Sequence, residues 1–381
     1  MRLMAVNHTG LVSGAERSLL DLLSRVSSDV ALVIVSPRGE FSQRVVDAGH
    51  RHIPIPEAEL SFAFDLVRTP RRLLSAVRAV YRLAMVVAHE HPDVIVSNSV
   101  RAGLLMAMVP RRRSTRLIVW VRDVLPTGRV ASAVRRLIWW RADTVVANSQ
   151  YVAQNMEDPR TTSRAVVVYN GIDPIESDDG AAGASAYTPS AALRLAVVGQ
   201  ITPWKRQDLA IKVVRRLLYL GVDATLDLIG TVEFAGPGRY DTLAYDGQLR
   251  RLVRELGLAE RVRFLGRRED ARKLLAHNHV LLVPSEIEPF GRVVIEGMLA
   301  GNVVIARDIA GPAEILEHGV TGLLVGSADA GDWAASILHL VQDWTSSIAI
   351  TEAARVVARE RFGTNHMARR FREAVLSTQT R

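Results

Sequence analysis

Two glutamates, Glu288 and Glu296, lie eight residues apart in the segment VPSEIEPFGRVVIEGMLAG (283–301). The apolar run before them reads as a strand that ends at Pro284-Ser285. A loop carrying Glu286 and Glu288 follows, and Phe290-Gly291 opens a helix whose second turn holds Glu296. Free backbone N–H groups at such a helix start bind phosphate or sugar oxygens. Gly291 lets a ligand approach the backbone closely. Carboxylates placed before and inside that helix suit paired hydrogen bonds to vicinal hydroxyls, as on sugars and ribose. The plainer alternative is that Glu286 and Glu288 only complement the helix dipole while Glu296 is solvated. Lys205 is a second element of chemistry. It stands at the start of a predicted helix, where a cation opposes the macrodipole by roughly 0.3–1 kcal/mol, so either an anionic ligand compensates it or it is an exposed lysine that tolerates the cost. His8 at the end of the first strand, and Arg122-Asp123 at the end of a later one, are further cleft candidates, although a lone histidine is more often structural.

Several chemistries are absent from the sequence. No G-x-G-x-x-G follows a strand, and there is neither a Walker A sequence nor a G-x-S-x-G elbow. His89-Glu90-His91 is too short for H-E-x-x-H and reads as a helix end. No Asp-x-Asp pair offers a divalent ion two carboxylates, so no metal is expected. With no cysteine, thiolate zinc sites, iron–sulfur clusters, disulfides and cysteine nucleophiles are excluded. With only three lysines (Lys205, Lys212 and Lys273), a lysine-bound pyridoxal group is a narrow possibility.

The elements that must position these residues follow from the hydropathy pattern. Short β-branched runs occur at 2–8, 30–36, 93–98, 116–122, 143–148 and 165–169, and again at 193–199, 225–230, 262–265, 279–284, 302–306 and 322–325. Amphipathic stretches separate them, which predicts βαβ units and buried parallel sheets. The series runs twice. Between the two series lies PIESDDGAAGASAYTPSAA (174–192), whose composition is that of a linker. The expectation is an α/β protein with two doubly wound, Rossmann-like domains, 1–173 and 193–360, facing a common cleft. A terminal helix, 361–381, follows them. Ligands of such sheets sit outside the carboxyl ends of the strands.

Charge is uneven across the 381 residues. The net charge is 48 − 40 = +8; residues 1–172 carry 23 basic and 14 acidic residues, so the remainder has 25 and 26. The whole excess lies in the first half, which suggests either an anionic partner there or solvated arginines that only keep the protein in solution. Residues 68–88 predict a basic amphipathic helix on which Arg71, Arg78 and Arg82 fall within about 40° of one another. Leu73, Val77, Val80, Tyr81 and Ala84 occupy much of the opposite side. Such a helix either lies on an anionic bilayer or packs its apolar side on the first sheet, and the second reading is preferred. Nucleic acid is not expected, because no recognition motif accompanies the basic residues. No apolar run is long enough to span a membrane and no secretory core is present, so a soluble, cytoplasmic protein is expected, with peripheral contact to the cytoplasmic face of a membrane as an option.

The pair Glu288-x7-Glu296 inside EPFGRVVIEGMLAG resembles the signature of the retaining nucleotide-sugar glycosyltransferases of family 4, which have the two-domain GT-B fold. SGAERSLLDLL (13–23), VVANSQYVAQNM (145–156), VVYNGID (167–173), VVGQITPWKRQDLAI (197–211), RVRFLGRRED (261–270) and AGPAEILEHGVTGLLV (310–325) are similar to further family segments in the same order. The resemblance spans nearly the whole chain. It implies a nucleotide-diphosphate sugar as co-substrate, no resident cofactor, and an acceptor that is a glycan, lipid-linked or a small molecule. It places the acceptor on the first domain and the donor on the second. Glu288 then contacts the donor sugar, Glu296 the ribose hydroxyls, and Lys205 the departing diphosphate. Backbone amides at Phe290, Gly291 and Arg292 hold the sugar or diphosphate. Gly266 and Arg267 lie near the nucleobase, and Gly14 near the diphosphate. The resemblance also implies retention at the anomeric carbon, reached by front-face attack with the leaving phosphate accepting the acceptor proton.

Two departures stand out. Gln200 occupies a position where the family often has arginine, and Arg206 either compensates or faces solvent. The family histidine near the end of a late first-domain strand is missing from Val119-Trp120-Val121-Arg122-Asp123, which leaves Arg122 and Asp123 for acceptor or diphosphate contact or as a buried pair. A GT-B phosphorylase or disaccharide synthase, and a catalytically silent sugar-nucleotide binder, remain as alternative readings.

Overall fold

A computed structural model describes residues 1–25, 30–58, 69–158, 164–174, 187–188, 191–232 and 242–376, with the side chains of 69–72 and 376 left aside. Most of the expected linker at 174–192, and the side chain of Arg71, therefore lie outside the described residues. The chain divides into two units, one of Met1–Gly171 with Thr364–Arg381, the other of Ile172–Gly363.

The first unit alternates strands and helices: β1 (Arg2–Val6), α1 (Gly14–Leu23), β2 (Ala31–Ser36), α2 (Glu40–Asp47), β3 (Arg51–Pro54), α3 (Thr69–Glu90), β4 (Val94–Ser97), α4 (Val100–Met108), β5 (Arg116–Val121), α5 (Arg129–Arg141), β6 (Thr144–Ala147), α6 (Gln150–Asn155) and β7 (Val166–Val167). The strands form one parallel sheet in the order β3-β2-β1-β4-β5-β6-β7. Both faces of the sheet are covered. On β5, Leu117, Val119 and Val121 join one apolar cluster, while Ile118 and Trp120 join another on the opposite face. This period of two, with both sides apolar, is why a buried parallel strand reads as a continuous hydrophobic run.

The second unit repeats the plan: β8 (Leu193–Val198), α7 (Gln207–Tyr219), β9 (Ala224–Ile229), α8 (Thr242–Glu255), β10 (Val262–Gly266), α9 (Ala271–Leu275), β11 (Val280–Val283), α10 (Arg292–Ala300), β12 (Val303–Arg307), α11 (Ala310–Ile315), β13 (Leu323–Val325), α12 (Ala330–Gln342) and α13 (Trp344–Phe362). Its parallel sheet has the order β10-β9-β8-β11-β12-β13. In each sheet the order reverses beside the first strand, between β1 and β4 and between β8 and β11. Loops leave such a point in opposite directions and open a crevice at the carboxyl ends.

The last helix, α14 (Thr364–Leu376), belongs to the first unit. Met367, Phe371, Ala374 and Val375 are buried against Leu3, Val94, Ile118, Trp120 and Val146. Phe371 stacks on Trp120 with ring centroids 4.9 Å apart.

Two sequence expectations change. The strand β3, Arg-His-Ile-Pro, has no apolar run to announce it. It is an edge strand, only partly buried, and it ends in a proline that a central strand would not tolerate. The helix expected at 68–88 forms as α3; the side that packs on the sheet is Ala76, Ala79, Leu83, Val86 and Val87, with Val80 and Ala84 of the expected side packed partly against it. Leu73, Leu74, Val77, Tyr81 and Met85 are exposed, Tyr81 at 68%. The buried side mixes alanines with Leu83, Val86 and Val87 and is turned away from Leu73, Val77 and Tyr81, which a mean over the helix cannot reveal.

Candidate functional site

The loop after β11 carries the first glutamate. Its Glu286 N–H donates to the Trp204 carbonyl at 2.7 Å, which ties it to the Pro203–Lys205 turn after β8. On the other side the Gly311 N–H donates to the Glu288 carbonyl at 3.1 Å. Held from both sides, Glu288 is nearly buried, and its carboxylate forms an ion pair with Lys205. The Ser285 hydroxyl donates to the same Glu288 oxygen at 3.3 Å. Lys205 stands in that single tight turn, ahead of α7, which begins only at Gln207.

The helix α10 begins at Gly291, whose φ of 96° is left-handed and strained for any side chain. Phe290 is buried beside it. A Cβ on Gly311 would lie 2.0 Å from the Phe290 carbonyl oxygen, so the start of α11 is pressed against the turn that opens α10. Glu296 is buried in the second turn of α10, with Arg292 Nε 3.9 Å from its carboxylate. Both glutamates of the pair thus belong to one helix start, and Lys205 meets the first of them.

Arg206 also has a left-handed backbone, φ 54°. Its guanidinium holds Asp208 by two bonds, 2.9 and 3.2 Å, and Glu286 by one of 3.0 Å. Tyr245 donates its hydroxyl hydrogen to Asp208 at 3.0 Å, and Lys212 lies 3.3 Å away. Burial pushes the Asp208 carboxyl up, but its bonds to Arg206 and Tyr245 and the nearby cations outweigh it and hold the group below its ordinary range. Arg206 is therefore already engaged by carboxylates. Gln200 accepts a 2.8 Å bond from Gln207 on its carbonyl. Gly266 ends β10 with φ 68°, its carbonyl accepting from Gly230 N–H at 2.9 Å, and Arg267 beside it is exposed. The carboxyl ends of β8, β9 and β10 carry Gly199, Gly230 and Gly266, and a Cβ on Gly230 would lie 1.8 Å from the Gly199 carbonyl oxygen, so these two loops pack backbone on backbone.

In the first unit Gly14 opens α1 and is exposed, while buried Glu16 reaches back to accept from Ser13 N–H at 3.0 Å. His8 Nδ1 meets Ser99 Oγ at 3.0 Å. Burial first, and then Arg101, lower the His8 pKa to about 4, with Glu16 opposing. Arg122 is buried. It donates to Asn98 Oδ1 at 3.0 Å and Asn170 Oδ1 at 2.5 Å, and its guanidinium lies 3.8 Å from the Trp120 ring centre. It makes no ion pair with Asp123 among the described residues. Asp123 keeps one side open to solvent, yet protein crowding raises its pKa, with Arg101 and Arg122 pulling it down and Glu16 pushing it up. Arg78 and Arg82 are exposed on α3. No group of three or more potential metal ligands occurs among the described residues.

Sequence reasoning missed Ser285, the Asp208–Tyr245 bond and Arg101. Only Ser285 carried a local signal, as the last residue before the glutamate loop. The others meet their neighbours through tertiary packing.

Comparison with known proteins matches each unit to a family. Residues 12–176 match the model for Glycosyltransferase Family 4, and residues 189–357 that for Glycosyl transferases group 1. A lipopolysaccharide core biosynthesis glycosyltransferase, LpsE of Rhizobium meliloti, is 26% identical over 345 residues, 88% of each chain. A D-inositol 3-phosphate glycosyltransferase of Mycobacterium sp. (strain JLS) is 32% identical over 210 residues, 52% of this chain and 45% of the relative. The match spans less than half the length of that relative. Among solved structures, Anabaena HepE in complex with UDP-glucose has a TM-score of 0.80 at 22% identity, covering 99% of this chain and 100% of that one. Such a likeness shows the fold, two Rossmann-like domains of GT-B type.

Proposed function

The chain belongs to the family 4 glycosyltransferases, and from that premise we propose that it moves a sugar from a nucleotide-diphosphate donor to a glycan, lipid-linked or small-molecule acceptor, with retention and without a metal. The observation that carries this reading is the Lys205–Glu288 pair at the opening of α10. In the free protein the two charges neutralise each other. A diphosphate takes over Lys205, and Glu288 is released to accept hydrogen bonds from sugar hydroxyls. Glu296 does the same for the ribose. The N–H groups of the α10 start, with Gly291 leaving room, bind the remaining anionic oxygens. As the glycosidic bond breaks, charge grows on the leaving phosphate, and preformed donors in a shielded site stabilise it most at that moment. The leaving phosphate accepts the acceptor proton, so no side chain is required as base.

The HepE structures contain UDP and UDP-glucose, which makes a uridine-diphosphate sugar the first donor to try. The test is donor hydrolysis without acceptor, alongside transfer to dissolved and lipid-linked acceptors. Glu288→Gln is expected to lower turnover on the order of a hundredfold or more. A fully active variant overturns the site. A wild-type protein that binds the donor but never cleaves it supports the silent binder instead.

We also propose contact with an anionic membrane surface through α3. No helix among the described residues is long and apolar enough to cross a membrane. The exposed row Leu73, Val77, Tyr81 and Met85 repeats every four residues, with Arg78 and Arg82 beside it. An apolar stripe edged by arginines is suited to the headgroup region of an anionic bilayer.

A further inference from the structure

The carboxyl edge of the first sheet gathers polar side chains that the donor chemistry leaves unused. Asn7 and His8 follow β1, Asn98 and Ser99 follow β4, and Arg122 and Asp123 follow β5. These three strands are neighbours, and the order reverses between β1 and β4. Asn98 donates to Asn7 Oδ1 at 3.1 Å and to the Ala15 carbonyl at 3.3 Å, and Arg122 donates to Asn98, so the floor of this edge is a bonded network.

Two arginines belong to the edge, and they differ. Arg122 is buried and engaged by two asparagines and an indole ring. Arg101 stands on the first turn of α4, two residues past Ser99, whose Oγ meets His8 at 3.0 Å and accepts from Ala102 N–H at 3.0 Å. Helical side chains lean back towards the N-terminus, here towards the strand ends. The charge of Arg101 acts on both His8 and Asp123. Among the described residues its Nε is sealed from solvent without a partner, and its guanidinium has no hydrogen bond or ion pair.

A guanidinium offers five donors in a fixed fork and no acceptor. Sealing one donor without a partner is unfavourable, and so is a cation at the positive end of a helix. An arriving anion removes the second penalty, and the two Nη groups, which are not sealed, take it by paired, charge-assisted bonds. We infer that Arg101 binds a phosphate or carboxylate group of the acceptor at the carboxyl ends of β1, β4 and β5. The inference rests on the glycosyltransferase reading and narrows its acceptor to an anionic one. His8 adds no competing charge there, because it stays neutral down to acidic pH. Asp123 repels the anion and is suited to an acceptor hydroxyl instead.

The test uses the full chain and inorganic phosphate as probe, followed by 31P line broadening with and without UDP. Phosphate is expected at two places, the diphosphate site at Lys205 and the site at Arg101. UDP should displace only the first. With UDP present, Arg101→Gln is expected to weaken the remaining phosphate binding about tenfold. Unchanged binding in that variant overturns the inference. Broadening that neither UDP nor Lys205→Gln reduces overturns the donor reading, not the Arg101 site. Arg101→Lys keeps the charge without the fork, so it guards against a folding defect: it should bind more weakly than the wild type but better than Arg101→Gln. Equal binding by the lysine variant and the wild type, with the glutamine variant unfolded, also counts against the inference. Flotation with phosphatidylcholine vesicles, with and without phosphatidic acid, then separates the sources. Phosphatidic-acid-dependent flotation that Arg101→Gln weakens assigns the anion to a lipid headgroup; flotation unaffected by the variant, with phosphate binding weakened, assigns it to a dissolved acceptor.

Discussion

Lys205 and Glu288 are 83 residues apart in the chain and in contact in the fold. Neither is notable alone: lysines before helices and glutamates in loops are ordinary surface residues. Their contact, with both side chains largely buried, leaves each charge neutralised by the other. Lys205→Ala is accordingly expected to lower kcat more than it raises the donor KM, because its charge counts most as the leaving phosphate forms. Steady-state kinetics with equal turnover in variant and wild type would refute that role. A second expectation concerns backbone shape. Gly311→Ala places a Cβ 2.0 Å from the Phe290 carbonyl, which must shift the turn opening α10. The result should be a loss of donor affinity larger than the loss of thermal stability, read by donor titration beside a melting curve. The residues of this site were legible in sequence as a spacing and a helix start. The Asp208–Tyr245 bond beside it was not, because it joins elements 37 residues apart that no local pattern links.

Elements show where hydropathy speaks and where it is silent. Every strand buried on both faces announced itself as an apolar run, because parallel strands under helices have no polar side. The edge strand β3 did not, since an edge needs only half the burial. The strand β11 adds a titratable group. His279, fully buried just before it, accepts the Arg194 N–H on Nδ1 at 3.0 Å. Burial first, and Arg194 second, lower its pKa from 6.5 to about 4. Between those two values the unfolded chain binds a proton that the folded chain does not, so stability rises with pH across the window and is lost as pH falls through it. The full effect is on the order of 3 kcal/mol, and His8 adds to the same limb. Urea midpoints should drop from pH 7 to pH 4.5, and His279→Asn, which keeps an acceptor for Arg194, should show a shallower drop. An identical slope in both proteins would contradict this assignment.

On the scale of the whole molecule, the chain leaves the first unit after Gly171 and returns to it at Thr364. Its last helix supplies Phe371 to a stack on Trp120, which in turn lies under the guanidinium of Arg122. Phe371→Ala is expected to destabilise the first unit by about 3–5 kcal/mol. Hydrogen exchange should rise in β4, β5 and β6 and stay unchanged in β8 to β12. Uniform exchange across both units would show that the stack is not what holds α14. The uneven charge gives a second expectation at this scale. Binding to phosphatidylserine-containing vesicles should weaken as salt rises, and Leu73→Ser with Tyr81→Ser should weaken it further at fixed salt. Insensitivity to both would remove the membrane proposal.

The sequence by itself determined the alternation of strands and helices, the doubling of that series and the helix start that carries the two glutamates. These depend on local burial and backbone shape, which a few consecutive residues specify. Tertiary structure alone decided which charges meet. Arg206 and Arg122 look as available as Arg101 in the sequence, but packing surrounds them with carboxylates, asparagines and an indole ring. Availability is a property of neighbours brought from distant positions, and long-range contacts, unlike periodicity, leave no mark on the residues between them.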